Sequence, residues 1–152
     1  MQVRGGASCS TYSPEAIEEI VTQTTPDLVV IFLGSNDLDA DDAPKNSQHG
    51  RFAEAILDVW WEFQIRHEIE TYVLALPNRF KYRSSIGRHR YQLRSSKSNE
   101  VLQKKIGSKF VELPPDSYHC SGYCKDKVHL TKELYMKIAS NVCDLLMRLG
   151  EK

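Results

Sequence analysis

Pro26-Asp27-Leu28-Val29-Val30-Ile31-Phe32-Leu33-Gly34-Ser35-Asn36-Asp37-Leu38 reads as a buried strand that ends in a Gly-x-Asn-Asp turn. The apolar run from Leu28 to Leu33 is continuous rather than alternating, a pattern expected of a strand covered on both faces in a parallel sheet. Near the other end of the chain, Asp126-Lys127-Val128-His129-Leu130 opens a long amphipathic helix. Together the two stretches offer an amide, an acid and a base at the ends of α/β elements, which are parts of an acyl-transfer site. No serine stands in the strand-to-turn setting that would make it the matching nucleophile.

Working outward, Val3 ends a short apolar start and Gly5-Gly6-Ala7-Ser8 is a tight turn. Ser13-Pro14-Glu15 starts a helix, with Ser13 as N-cap and Pro14 at the first helical position. Ile17, Ile20 and Val21 form its buried stripe, and Pro26 ends it. Asp37 to His49 is polar and acidic, a loop. Phe52, Ala55, Ile56, Val59, Trp60 and Phe63 then recur at helical spacing. Tyr72 to Leu76 is a second buried strand, stopped by Pro77-Asn78. Leu93, Val101, Leu102 and Ile106 suggest a helix up to Gly107, and Phe110 to Leu113 is a short third strand before Pro114-Pro115. The last helix runs from about Thr131 to Leu149 and buries Leu134, Ile138, Val142, Leu145 and Leu146, with Thr131 as N-cap and Gly150 as its stop.

Strands alternating with helices predict an α/β sandwich with a mostly parallel sheet. Ligands of such sheets bind outside the carboxyl ends of the strands, where the Gly5-Gly6, Gly34 to Asp37 and Asp126 to His129 segments can converge. The 152 residues fit one domain over 1–152, with 41% hydrophobic and 26% charged residues as in ordinary globular chains. Formal net charge is zero, but its distribution is uneven. From Arg79 to Lys109 there are ten basic residues against the single acid Glu100, whereas residues 1–78 are nine net negative. The basic 79–109 segment is either a solvated helix and loop or a surface for nucleic acid or another anion.

No apolar run approaches the ~18 residues of a membrane span, and Met1 to Gly6 lacks the apolar core of a signal peptide. A soluble, intracellular chain is the expectation. Cys9 and Cys143 fit packing roles in or beside regular elements. Cys120 and Cys124, flanked by His119 and His129, have a zinc-like gap, but a second Cys or His pair at matching spacing is missing, so no metal and no cofactor is expected. A Cys120–Cys124 disulfide would need an oxidising compartment. His67, His89 and His119 have no evident partner and read as surface residues.

The order Gly-Gly-Ala-Ser, helix, Pro-Asp-Leu-Val-Val-Ile-x-Leu-Gly-x-Asn-Asp-Leu and Asp-x-Val-His-Leu resembles the SGNH (GDSL-type) hydrolases. It is most similar to the esterase-like domains carried by some animal retrotransposon proteins. The likeness runs from Val3 to about Leu149. It implies a three-layer, flavodoxin-like sandwich and hydrolysis of a small ester or acetylated substrate without a metal. By the resemblance, the Gly6 backbone amide and the Asn36 side-chain amide form the oxyanion hole, His129 is the general base and Asp126 orients it. On spacing alone, Asp126 and His129 also fit an ordinary helix-start pair, and Asn36-Asp37 a plain turn.

The departure from the family is its first block, a strand followed by Gly-Asp-Ser, which this sequence lacks. Ser8, Ser10 and Ser35 each read as turn chemistry, with a hydroxyl bonding nearby backbone, so no nucleophile is identified. The expectation is a truncated product or pseudoenzyme lacking the first family strand, marginal in stability or dependent on a partner strand. The sequence leaves the oligomeric state open.

Overall fold

A computed structural model of the chain describes residues 8–39, 49–82 and 85–150. The expected strand at Val3, the Gly5-Gly6 turn and most of the acidic 37–49 segment lie outside the described residues. In chain order the regular elements are helix α1 (Pro14–Thr24), strand β1 (Leu28–Ile31), helices α2 (Ser35–Leu38) and α3 (His49–Trp61), strand β2 (Glu70–Leu74), helix α4 (Gly87–Ile106), strand β3 (Phe110–Val111) and helix α5 (Lys132–Gly150). Short turns of 3-10 helix at Cys9–Thr11, Pro115–Tyr118 and Cys120–Gly122 and a π turn at Glu62–Arg66 join them.

Among the described residues the strands form a three-stranded parallel sheet in the order β1-β2-β3. Val30 pairs with Tyr72 and Val73 with Phe110. Helices cover the sheet from both sides, which gives the three layers of a flavodoxin-like sandwich. One core gathers Ile17 of α1, Ile56 and Val59 of α3, Tyr91 and Leu102 of α4 and Val73 of β2. The other gathers Leu74 with Leu130, Leu134, Ile138 and Val142 of the α5 side. Adjacent residues Val73 and Leu74 serve opposite cores because successive strand side chains point to opposite faces.

Local chemistry explains the element ends. The Ser13 hydroxyl accepts the Ala16 N–H at 3.2 Å, and Thr25 closes α1 in a left-handed conformation with φ 41°. The Thr131 hydroxyl accepts the Leu134 N–H at 3.3 Å and starts α5.

The structure corrects five readings. Among the described residues only central β2, buried from Thr71 to Leu74, is covered on both faces; Val30 of β1 and Phe32 just after it are 37% and 36% exposed. The reason is position: β1 lies at one end of the order of the described strands, and the side chains that enter the core there are Ile31 and, just after the strand, Leu33. The acidic loop begins instead with the short helix α2, and Asp126 to His129 forms a turn ahead of α5 rather than its first turn. Leu93 is exposed on α4, where Tyr91, Arg94, Ser95 and Ser98 take the buried positions. Cys143 is exposed as well, because Val142 holds the inward place on α5, whereas Cys9 packs in the core as expected. Leu145 and Leu146 are half-buried. All four cysteines are free thiols. Among the described residues, no helix is long and apolar enough to cross a membrane, and no group of three or more His, Cys, Asp and Glu side chains could hold a metal ion.

Candidate active site

The sheet is parallel, so the segments that leave β1, β2 and β3 emerge at one edge. After β1 the chain turns at Gly34, whose φ of +114° is a conformation that side-chain-bearing residues rarely adopt. A Cβ there would also sit 2.9 Å from both Ile56 Cδ1 and Leu76 Cδ2. This sharp turn aims the first residues of α2 out of the sheet and puts Asn36 at its edge. The Asp37 carboxylate accepts the Cys9 N–H, at 3.1 Å to its nearer oxygen, so the segment that follows Ser8 is fastened beside Asn36. Gly6 lies outside the described residues. Burial pushes the Cys9 thiol up, and the Asp37 charge adds to the effect.

The Cys124 to Leu130 turn carries the other half. Tyr123 and Leu130 form an antiparallel bridge, and the Cys124 N–H donates to the His129 carbonyl at 2.8 Å. Within the loop one oxygen of Asp126 accepts the N–H groups of Val128 (2.9 Å) and His129 (3.0 Å). Its other oxygen accepts from His129 Nδ1 at 2.5 Å. A carboxylate can only accept, so the proton of the neutral imidazole sits on Nδ1 and Nε2 keeps its lone pair. The His129 hydrogen bond, then the two backbone N–H groups, hold the Asp126 carboxyl well below the usual carboxylate range. The imidazole is 60% exposed, and Asp126 is its ring partner among the described residues. Lys127 adopts φ 61°, which lets the loop double back.

Residues 78–81, just after β2, tie the two halves together. Arg79 Nη2 donates to Asn36 Oδ1 at 3.0 Å, and Nη1 donates to Asp39 Oδ2 at 2.7 Å. This ion pair is buried, with side-chain exposure of 4% for Arg79 and 0% for Asp39. The N–H groups of Phe80 (2.9 Å) and Lys81 (3.2 Å) both donate to the Lys127 carbonyl. The carbonyls of Asn78 and Ser117 share the single proton of the Tyr123 hydroxyl. Asn36 and the Asp126–His129 pair therefore hang from opposite sides of one turn. Arg94 adds a second internal anchor: its Nη1 donates to the Leu38 carbonyl at 2.5 Å, the last residue of α2.

Arg79, Asp39 and Arg94 were not singled out by sequence. Charge counting placed the arginines in a basic surface and the aspartate in an acidic loop. The usable signal was position, since Arg79 directly follows a strand stopped by Pro77-Asn78, where a parallel sheet builds its sites. The basic segment is thinner than its composition implies. Arg79 and Arg94 are internal, Arg88 lies over the Phe80 ring at 5.6 Å, and Lys109 pairs with Glu70 at 3.2 Å. His89 and His119 are exposed and His67 half-buried.

None of Ser8, Ser10 and Ser35 is hydrogen-bonded to His129, whose ring partner among the described residues is Asp126. The Ser8 hydroxyl lies 2.8 Å from that of Ser10 and 3.5 Å from that of Thr11, a local cluster about the Cys9–Thr11 turn. Ser35 opens α2.

The fold is the one found in GDSL-like lipases. The crystal structure of a GDSL-like lipase from Bacteroides thetaiotaomicron VPI-5482 matches with a TM-score of 0.69 and 21% identity, over 95% of this chain and 73% of that one. No protein-family model matches the sequence, and no curated protein sequence matches it.

Proposed function

We propose that this is an SGNH hydrolase-like domain with a site suited to ester or acetyl-ester hydrolysis, and that the 152-residue chain alone is an incomplete catalyst. The observation that carries the reading is the Asp126–His129 hydrogen bond, attached through Lys127 to the same turn that holds Asn36. In this reading His129 Nε2 takes the proton of an attacking hydroxyl, and Asp126 holds the ring and stabilises the imidazolium. The attack forms a bond to the carbonyl carbon and moves the electron pair to its oxygen. The Asn36 side-chain amide, with the Gly6 backbone amide, answers that charge, each worth about 3 kcal/mol in related chemistry. The imidazolium then returns the proton to the departing alcohol, and water repeats the sequence to release the acid.

What this reading lacks is the hydroxyl. The sequence has no Gly-Asp-Ser; the Ser8 and Ser10 hydroxyls lie 2.8 Å from each other, and Ser35 opens α2. The test has two arms. A small alkyl phosphonate, which mimics the tetrahedral oxyanion, should shift the NMR signals of the Asn36 amide and the His129 ring in one saturable titration. Binding that moves neither signal, or no binding at millimolar concentration, defeats the site assignment. Hydrolysis of p-nitrophenyl acetate should be equal in the wild-type chain and His129→Ala; a His129-dependent rate with covalent fluorophosphonate labelling would instead make the chain a complete esterase.

A second reading, a module that binds nucleic acid or another anion, draws on one feature of α4. Arg90, Lys97 and Lys104 recur every seven residues on its exposed side, although Lys97 also pairs with Glu100 at 3.3 Å. Single-stranded oligonucleotide binding with a log–log salt slope of about −2, for roughly three phosphates, would favour it. Binding unaffected by Arg90→Glu with Lys104→Glu would exclude that face.

A further inference from the structure

We propose that Arg79 is the positioning residue for Asn36, fixing which way its side-chain amide faces. The inference rests on the preceding reading of Asn36 as the oxyanion donor, and adds the group that makes it one. An asparagine amide has an accepting oxygen on one side and two N–H donors on the other. Its two faces are nearly isosteric, so an unrestrained amide presents either to a ligand. Arginine has donors only, so the group facing Arg79 Nη2 at 3.0 Å has to be Oδ1. With the oxygen held, Nδ2 is turned away from Arg79, the sense that an oxyanion donor requires.

The guanidinium is itself fixed. Nη1 is bonded to the fully buried Asp39 at 2.7 Å, and the Tyr91 ring lies under Cζ at 5.8 Å. The planar fork reaches Asn36 and Asp39 with two different nitrogens in a set geometry, which a single lysine ammonium cannot reproduce. The backbone that carries Arg79 also fastens Lys127 through Phe80 and Lys81. One short turn thus gives the amide its direction by a side chain and gives the His129 loop its place by main-chain bonds.

The test is NMR of the 15N-labelled chain, with the Asn36 side-chain signals assigned by their loss in Asn36→Ala. In the wild-type chain the Asn36 Nδ2 heteronuclear NOE should match the rigid backbone, well above that of exposed Asn141. Arg79→Lys should lower it clearly below the wild-type value while the His129 ring signals and its Nδ1–H bond to Asp126 stay in place, because the main-chain bonds of Phe80 and Lys81 remain. Should Arg79→Lys fail to fold, Arg79→Met with Asp39→Leu removes the pair without stranding a charge, and the same loosening is expected. A wild-type Asn36 amide as mobile as Asn141, or one equally rigid without the guanidinium, overturns the proposal. Neither outcome depends on turnover, and a phosphonate that failed to bind would count against the functional reading while leaving this result standing.

Discussion

Asp126 spends its two oxygens on different tasks: one receives the N–H groups of Val128 and His129, and the other receives His129 Nδ1. The same carboxylate shapes the loop and orients the ring. Because its pKa is held below the usual range, the stabilisation it gives is complete above about pH 4, near the unfolded value. It is lost as pH falls toward the depressed folded value. Urea unfolding of wild type and Asp126→Asn should differ at pH 6, and that gap should shrink steadily below about pH 4. A gap that widens on acidification would contradict the assigned bonds.

Asp39→Ala should be among the costly single changes. It leaves the Arg79 guanidinium buried without its carboxylate, a situation that typically costs about 3–5 kcal/mol. Denaturant midpoints measure this, and a loss below about 1 kcal/mol would mean that water reaches the pair.

Gly34→Ala combines positive-φ strain with the approach of Ile56 and Leu76. About 2 kcal/mol of destabilisation is expected from the backbone strain and the forced repacking. A thermal melt checks it, and an unchanged melting temperature would show that the turn relaxes freely.

His129→Ala should leave stability within about 0.5 kcal/mol, since the ring is mostly exposed and packs little. A large loss by the same measurement would make His129 structural rather than a group available to a ligand.

Ser117 is fully buried, and its hydroxyl has no hydrogen-bond partner among the described residues. Ser117→Ala removes an unpaired polar group, so a gain of up to ~1 kcal/mol is expected in the same melts. Destabilisation would reveal a partner for the hydroxyl.

The layers of the fold could be read from the sequence because their cause is local. Leu28 to Leu33 and Tyr72 to Leu76 are apolar runs between turn signals, and α5 carries an apolar stripe at helical spacing. What escaped depends on relations between distant segments. No local pattern reveals that β1 ends the order of the described strands and leaves Val30 partly exposed, or that Arg79 bonds residues some forty positions away. The pairing of Asp126 with His129 is implied by the family resemblance, whereas spacing alone also fits an ordinary helix start; in the structure three residues of turn bring the two groups together. Its position relative to Asn36 could not be read from spacing, because a turn after β2 sets it.

The anchored backbone of Cys9 gives the molecule an internal clock. Its thiol is buried, its acidity is suppressed, and its main-chain N–H is tied to Asp37, so an alkylating reagent has to wait for that segment to lift away. Cys120, Cys124 and Cys143, which are exposed, should be modified first. The slow last alkylation then times the opening of the strand-end region beside Asn36, and any ligand that stabilises this region should lengthen the wait.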